Sequence, residues 1–136
     1  MIDALPEPTP DLDSQPFWEG LKAKTLRLQR CRDCGRLRWP ARAICNRCAS
    51  FESEWAAVPE AGQVASWIKT HQVFAPAFRE RVPYVVVQIA LDAQPDIRLI
   101  GGWQADRDPV VGESVVPRYT ARESGTVVLD WSPRDP

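Results

Sequence analysis

All four cysteines of the chain fall into two pairs, Cys31-Arg-Asp-Cys34 and Cys45-Asn-Arg-Cys48, with ten residues between the pairs. Thiolates are metal ligands, and two residues between the members of a pair let one tight loop turn both sulfurs to the same side. Two such loops close a tetrahedron around one ion. The intervening residues suffice for a short hairpin that brings the second pair over the first, which is the arrangement of a zinc ribbon. With four protein ligands the centre has no open position for water or substrate, so its metal is structural rather than catalytic. Tetrahedral tetrathiolate sites accept zinc or iron. Gly35 follows the first pair as in a rubredoxin knuckle and Ala49 follows the second, which favours zinc.

Two other uses of the cysteines fit less well. Disulfides need an oxidising compartment, and the first fifteen residues show no basic start and no apolar stretch of signal-peptide length. A cytoplasmic location is expected. A thioredoxin-like redox pair opens a helix after a strand and needs no second pair at ribbon distance. With all four thiols on metal, no free sulfur remains as a nucleophile. The single histidine, His71, lies at the end of an expected strand, where a hydrogen-bonded rim residue is the ordinary reading. The carboxylates Asp92, Asp96, Asp106, Asp108 and Glu123 are scattered over expected turns. The chain therefore shows no catalytic set of its own.

The 136 residues leave no room for a separate large catalytic domain, and the formal net charge of -1 supplies no basic field for nucleic acid or an anionic membrane. No apolar run reaches transmembrane length. Arginine far outnumbers lysine, and there are six tryptophans, both types enriched at protein interfaces.

Three segments are expected. Residues 1–14 are proline-rich and acidic, with little to bury, and read as a flexible tail. Residues 15–55 hold a helix and the ribbon: Ser14 offers a cap, Pro16 suits a first turn, and Phe17, Trp18 and Leu21 share a helical face over about 15–23. Alternation in 25–31 predicts a strand that delivers the first cysteine pair. Leu37–Pro40 returns from it, with Trp39 covering one side of the metal module. So small a ribbon has little core, so metal loss is expected to unfold residues 25–55.

Residues 56–136 read as entirely β. Residues 62–71 predict a strand with Val64, Ser66, Ile68 and Thr70 on one face. Residues 84–92, 97–103, 115–120 and 126–131 supply four more, with Gly101-Gly102 expected as a bend or bulge. Five short strands, with a longer link after the first, predict a five-stranded barrel of OB type, making the chain mainly β. That link, residues 72–83, carries Phe74, Phe78, Arg79 and Arg81 between prolines, just after His71. Aromatics and arginines in one loop suit a partner's pocket or a phosphate, although a loop folded over the barrel is an equal alternative.

The helix, Cys-x-x-Cys-Gly, the second Cys-x-x-Cys with a proline before it, Gly62-x-Val64, and Pro83-Tyr-Val-Val followed by Leu91-Asp92 together resemble the family called domain of unknown function 35, over residues 15 to about 131. Many members have proline directly after the third cysteine, where this chain has Asn46, a difference that leaves all four sulfurs in place. The resemblance implies a rubredoxin-like zinc ribbon followed by an OB fold. It also implies an accessory role beside thiolase-like enzymes, hydroxymethylglutaryl-CoA synthases, or steroid side-chain aldolases and hydratases. On that reading the chain is a non-catalytic zinc-containing subunit of a hetero-oligomer. The thiolase-like or aldolase partner makes or breaks the carbon–carbon bond, and the CoA thioester is bound through the complex. His71, Phe74, Phe78, Arg79 and Arg81 are then candidates for contact with CoA or the partner. The alternative from another class is a nucleic-acid-binding zinc-ribbon and OB-fold protein. The arginines at 27, 30, 32, 36, 38, 42 and 47 favour it, and the net charge opposes it.

Overall fold

The computed structural model describes residues 5–135; the first four residues of the expected tail, and Pro136, lie outside the described residues. Helix α1 spans Gln15–Lys22, with Pro16 in its first turn and Phe17, Gly20 and Leu21 buried. Ser14 stands at the expected cap position, but its hydroxyl does not cap. It donates to Asp11 Oδ1 at 2.7 Å and accepts the Trp18 indole N–H at 3.2 Å. Lys24, at φ 56°, turns the chain so that Thr25 N–H reaches Gly20 O at 2.8 Å and closes the helix.

The ribbon is a three-stranded antiparallel sheet in which β1 (Arg27–Cys31) lies between β2 (Leu37–Arg38) and β3 (Ser53–Ala57). Strand β3 has no sequence signature, because Ser-Glu-Trp-Ala-Ala neither alternates nor contains β-branched residues. Its conformation comes from pairing with β1, from Arg27↔Ala57 to Cys31↔Ser53. Trp39 packs on Phe17 of α1, ring centroids 4.4 Å apart, so it joins helix to ribbon.

The second sheet holds β4 (Gly62–Thr70), β5 (Tyr84–Leu91), β6 (Arg98–Gly102), β7 (Ser114–Ala121) and β8 (Val127–Pro133), in the order β6-β5-β4-β7-β8 and antiparallel throughout. A parallel bridge between Trp103 and Trp131, with Gln104 N–H donating to Trp131 O at 2.8 Å, brings β6 against β8 and closes the five strands as an OB fold. Gly101 and Gly102 do not bend β6 as expected, for they pair regularly with Val87 and Val86. Their lack of side chains serves the closure instead: a Cβ on Gly101 would lie 2.2 Å from Leu129 O.

The irregularity sits in β4, where the register shifts between Val64 and Ser66. An extra residue reverses which face each later side chain meets. Val64 is buried, yet beyond the bulge Trp67 turns toward the core and Ile68 is 61 % exposed. The expected shared face of Val64, Ser66, Ile68 and Thr70 is corrected accordingly.

Helix, ribbon and barrel share one core. Phe17 and Leu21 of α1, Leu26, Leu28 and Leu37 of the ribbon, and Val87, Ile89, Val115 and Trp131 of the barrel belong to a single buried cluster. Each fully buried leucine contributes about 1.5–3 kcal/mol by leaving water. Polar ties cross the same junction. Leu37 N–H donates to Gln94 Oε1 at 2.9 Å while Gln94 Nε2 donates to Leu37 O at 3.0 Å, and Arg36 pairs with Asp96. Tyr119 O–H donates to Glu60 Oε1 at 2.6 Å; burial, and then that carboxylate, hold the phenol protonated well above its usual range. Among the described residues no helix is long and apolar enough to cross a membrane.

Candidate metal centre and barrel-mouth concavity

The two cysteine loops are built alike. In the first, Gly35 N–H donates to Cys31 O at 3.0 Å and Cys31 N–H to Arg36 O at 2.9 Å. In the second, Ala49 N–H donates to Cys45 O and Cys45 N–H to Ser50 O, both at 2.9 Å. The turn needs a left-handed residue after each pair, and Gly35 and Ala49 adopt φ of 78° and 62°. Glycine does this without strain, whereas alanine is held there by the surrounding bonds.

These loops converge. Cys31 and Cys48 sulfurs lie 3.5 Å apart and Cys34 and Cys45 sulfurs 3.6 Å apart, and all four sulfurs are within 4.8 Å of one another. A tetrahedron with metal–sulfur bonds of about 2.3 Å has edges of about 3.8 Å, so the donor set fits one tetrahedral ion. All four are free thiols rather than disulfides.

Electrostatics give the same answer. The Cys34 backbone N–H favours the Cys31 thiolate most, Asp33 N–H and the Arg38 side chain add to it, and the thiol falls to about 6. Cys45 is lowered by the N–H groups of Cys48 and Arg47. Ser50 N–H favours the Cys48 thiolate, but desolvation and the facing sulfurs of Cys31, Cys34 and Cys45 outweigh it and push the thiol up to about 12. Facing Cys31, Cys34 and Cys45, the Cys48 thiol resists ionisation, which a cation among the sulfurs would relieve.

The link after β4 contains a 3₁₀ turn, Pro76–Phe78, and Phe78 stacks on Tyr84 with centroids 5.4 Å apart. Phe78 and Arg81 line a concavity of about 1240 Å³ at the mouth of the barrel, together with Lys69, Tyr84, Trp103 and Arg122. His71, Phe74 and Arg79 are exposed and do not line it, so the structure brings together two of the five candidates. Phe74 is 75 % exposed.

Most cations of the concavity are occupied. Lys69 Nζ is 2.8 Å from Asp108, Arg107 is 2.6 Å from Glu113, and Arg122 donates to Pro6 O at 3.0 Å and approaches Glu7. Arg81 has no carboxylate partner among the described residues. Lys69, Tyr84, Trp103 and Arg122 were not singled out by the sequence. Lys69 reaches the mouth because the bulge reverses the faces of β4, and the contact of residues 6 and 7 with Arg122 has no local signal.

Two family profiles match consecutive stretches and together cover more than half of the chain. One is described as ChsH2, rubredoxin-like zinc ribbon domain, over residues 18–54, and the other as ChsH2, C-terminal OB-fold domain, over residues 55–120. A curated relative from Thermomonospora curvata, a probable enoyl-CoA hydratase alpha subunit, is 36% identical over 86 residues, which is 63% of this chain and 26% of the relative. The chain thus spans about a quarter of that protein's length. Among solved structures, one described as the Ltp2-ChsH2(DUF35) aldolase superposes with a TM-score of 0.81 at 29% identity, covering 93% of this chain and 98% of the other. A DUF35-family protein of unknown function from Sulfolobus solfataricus superposes with a TM-score of 0.61 at 18% identity, covering 90% and 85%, and shares the fold.

Proposed function

The chain belongs to the ChsH2 family of rubredoxin-like zinc ribbon and OB-fold proteins, and from that premise we propose that it is a non-catalytic, zinc-containing accessory subunit of a thiolase-like acyl-CoA enzyme of aldolase type. The observation that carries this reading is the likeness, over nearly the whole of both chains, to the ChsH2 structure described as an aldolase. The relative described as a probable enoyl-CoA hydratase alpha subunit supports a hydratase as an alternative or further partner.

The geometry suits a supporting role. Zinc held by four sulfurs would be structural, tying the two cysteine loops together and leaving no open position for substrate. Cys31, Cys34, Cys45 and Cys48 would hold it. The nucleophile, base and oxyanion donors for a carbon–carbon bond next to a thioester belong to the partner. This chain's part is to shape the acyl-CoA channel or to join two enzymes. Phe78 and Arg81 at the barrel mouth, with exposed Arg79 and Phe74 beside them, offer an aromatic and cationic edge to the CoA phosphates or to the partner.

Reconstitution tests it. The thiolase-like protein from the same source is assayed for cleavage of a β-hydroxyacyl-CoA with and without this chain, after co-purification. A stable complex whose aldol cleavage depends on the chain is expected. No complex and no effect on cleavage, with retention of nucleic acid that falls away steeply between about 50 and 200 mM salt, would replace this function with the nucleic-acid one.

A further inference from the structure

Residues 34–51 of the ribbon contain four arginines and no aspartate or glutamate. Arg36 is paired with Asp96 and Arg38 is buried, which leaves Arg42 and Arg47 as the exposed cations of this stretch. Among the described residues neither of these two pairs with a carboxylate. The same stretch carries two exposed apolar side chains, Ile44 at 46 % and Phe51 at 72 %. Cys45 N–H donates to Ser50 O at 2.9 Å, so the chain runs side by side at Ile44 and Phe51, at one end of the second cysteine loop.

The backbone beneath this face is held. Arg38 Nη2 donates to Ser50 O at 3.2 Å and to Glu52 O at 3.0 Å, one on each side of Phe51, while its Nη1 donates to Arg42 O at 3.1 Å. Arg42 N–H is fixed in turn by Gln29 Oε1 at 2.9 Å. An aromatic ring on backbone that is already ordered loses little freedom when it is covered, and aromatic and arginine side chains dominate the energetics of protein interfaces. Single-stranded nucleic acid is bound by a longer run of cations with several stacking rings. Two arginines beside an aliphatic and an aromatic side chain suit instead an apolar pocket with carboxylates at its rim. None of these residues lines the barrel-mouth concavity, so this is a second and separate surface.

We propose that the second cysteine loop is a protein-docking surface, with Ile44 and Phe51 as its apolar centre and Arg42 and Arg47 as its rim, and that it fits an apolar pocket bordered by carboxylates on the thiolase-like subunit. The proposal rests on the accessory-subunit reading. Its test uses the full metal-loaded chain and the thiolase-like protein from the same source, with dissociation constants and association rates measured at about 50 and 200 mM salt. Phe51→Ala should weaken the complex about 30-fold, the loss expected of an interface anchor. The double variant Arg42→Ala, Arg47→Ala should slow association several-fold at the lower salt and much less at the higher, where exposed charges are screened. Ile100→Ala, an exposed apolar residue on the barrel, is the control and should stay within threefold of the parent. A complex that forms with the parent and keeps its affinity within threefold in Phe51→Ala would overturn the docking surface while leaving the accessory role intact. No complex with the parent would remove that role and this surface with it. Retention of nucleic acid by the parent, lost in the double arginine variant, would assign the face to nucleic acid and overturn the proposal.

Discussion

Barrel closure rests on the missing side chain of Gly101, and Gly101→Ala tests that directly. The added Cβ would sit 2.2 Å from Leu129 O and 3.1 Å from Trp131 Cδ1, where contacts under 3.0 Å force a shift. The nearer atom is backbone of β8, so the strain cannot be relieved by turning a side chain. Overpacking of this kind costs about 1–3 kcal/mol. Moving β8 outward also weakens the bonds from Gly102 N–H to Asp130 Oδ1 at 3.0 Å and from Gln104 N–H to Trp131 O at 2.8 Å. At about 1 kcal/mol for each bond, the total is about 3–5 kcal/mol. In a domain of this size the expected fall in Tm is about 10–20 °C, read by thermal unfolding of the metal-loaded protein. Gly112→Ala is the control, because its Cβ meets nothing within 4 Å and only its φ of 93° is strained. That strain alone costs about 1–2 kcal/mol. A Gly101→Ala protein no less stable than Gly112→Ala would refute the account of the seam.

Four further perturbations separate the parts of the molecule. Cys45→Ser should abolish stoichiometric metal binding and remove much of the ribbon's folding energy, on the order of 10 kcal/mol in small zinc modules; metal analysis and near-ultraviolet circular dichroism would show both. Ala49→Gly relieves a left-handed residue at φ 62° and should raise stability by about 0.5 kcal/mol, because the strain relieved slightly exceeds the added freedom of the unfolded chain; a lower denaturation midpoint would count against it. Glu113 has its carboxyl held below the usual range first by the hydrogen bond from Arg107, so its stabilising contribution is present above the unfolded value near 4.5 and disappears as pH falls through the lowered one. Arg107→Met should therefore move the acid-unfolding midpoint to higher pH, followed by intrinsic fluorescence. In the reconstituted complex, the double variant Arg79→Ala, Arg81→Ala should raise the apparent KM for the CoA thioester several-fold; unchanged kinetics would remove these arginines from CoA recognition.

What the sequence made legible was chemistry with fixed spacing. Two Cys-x-x-Cys loops specify their own geometry, and the β-branched run of β5 specifies a strand, so the ribbon and the five-stranded barrel could be read from the sequence. Three features depend on contacts remote in sequence. Strand β3 exists because β1 lies beside it. The faces of β4 depend on a bulge that neither glycine nor proline marks. Gly101-Gly102 reads as a bend by local rules, whereas the requirement comes from β8, nearly thirty residues away. The candidate contact residues divided in the same way: His71, Phe74, Phe78, Arg79 and Arg81 were grouped by proximity along the chain, and the fold gathers Phe78 and Arg81 with Lys69, Tyr84, Trp103 and Arg122 instead.

The metal centre and the barrel mouth lie in different sheets, yet the packing couples them. Leu26, Leu28 and Leu37 leave the ribbon to enter the same core as Val87 and Trp131. The double bond between Leu37 and Gln94 ties β2 to the turn that joins β5 to β6. Strand β5 begins at Tyr84, on which Phe78 stacks at the edge of the concavity. A ribbon without its metal would release Leu37, and with it the support for that turn, so the effect would pass along β5 to the mouth. An ion held there would therefore reach a concavity it never touches: it would fix two loops, the loops would fix β1 and β2, and those strands complete the core on which the barrel is assembled.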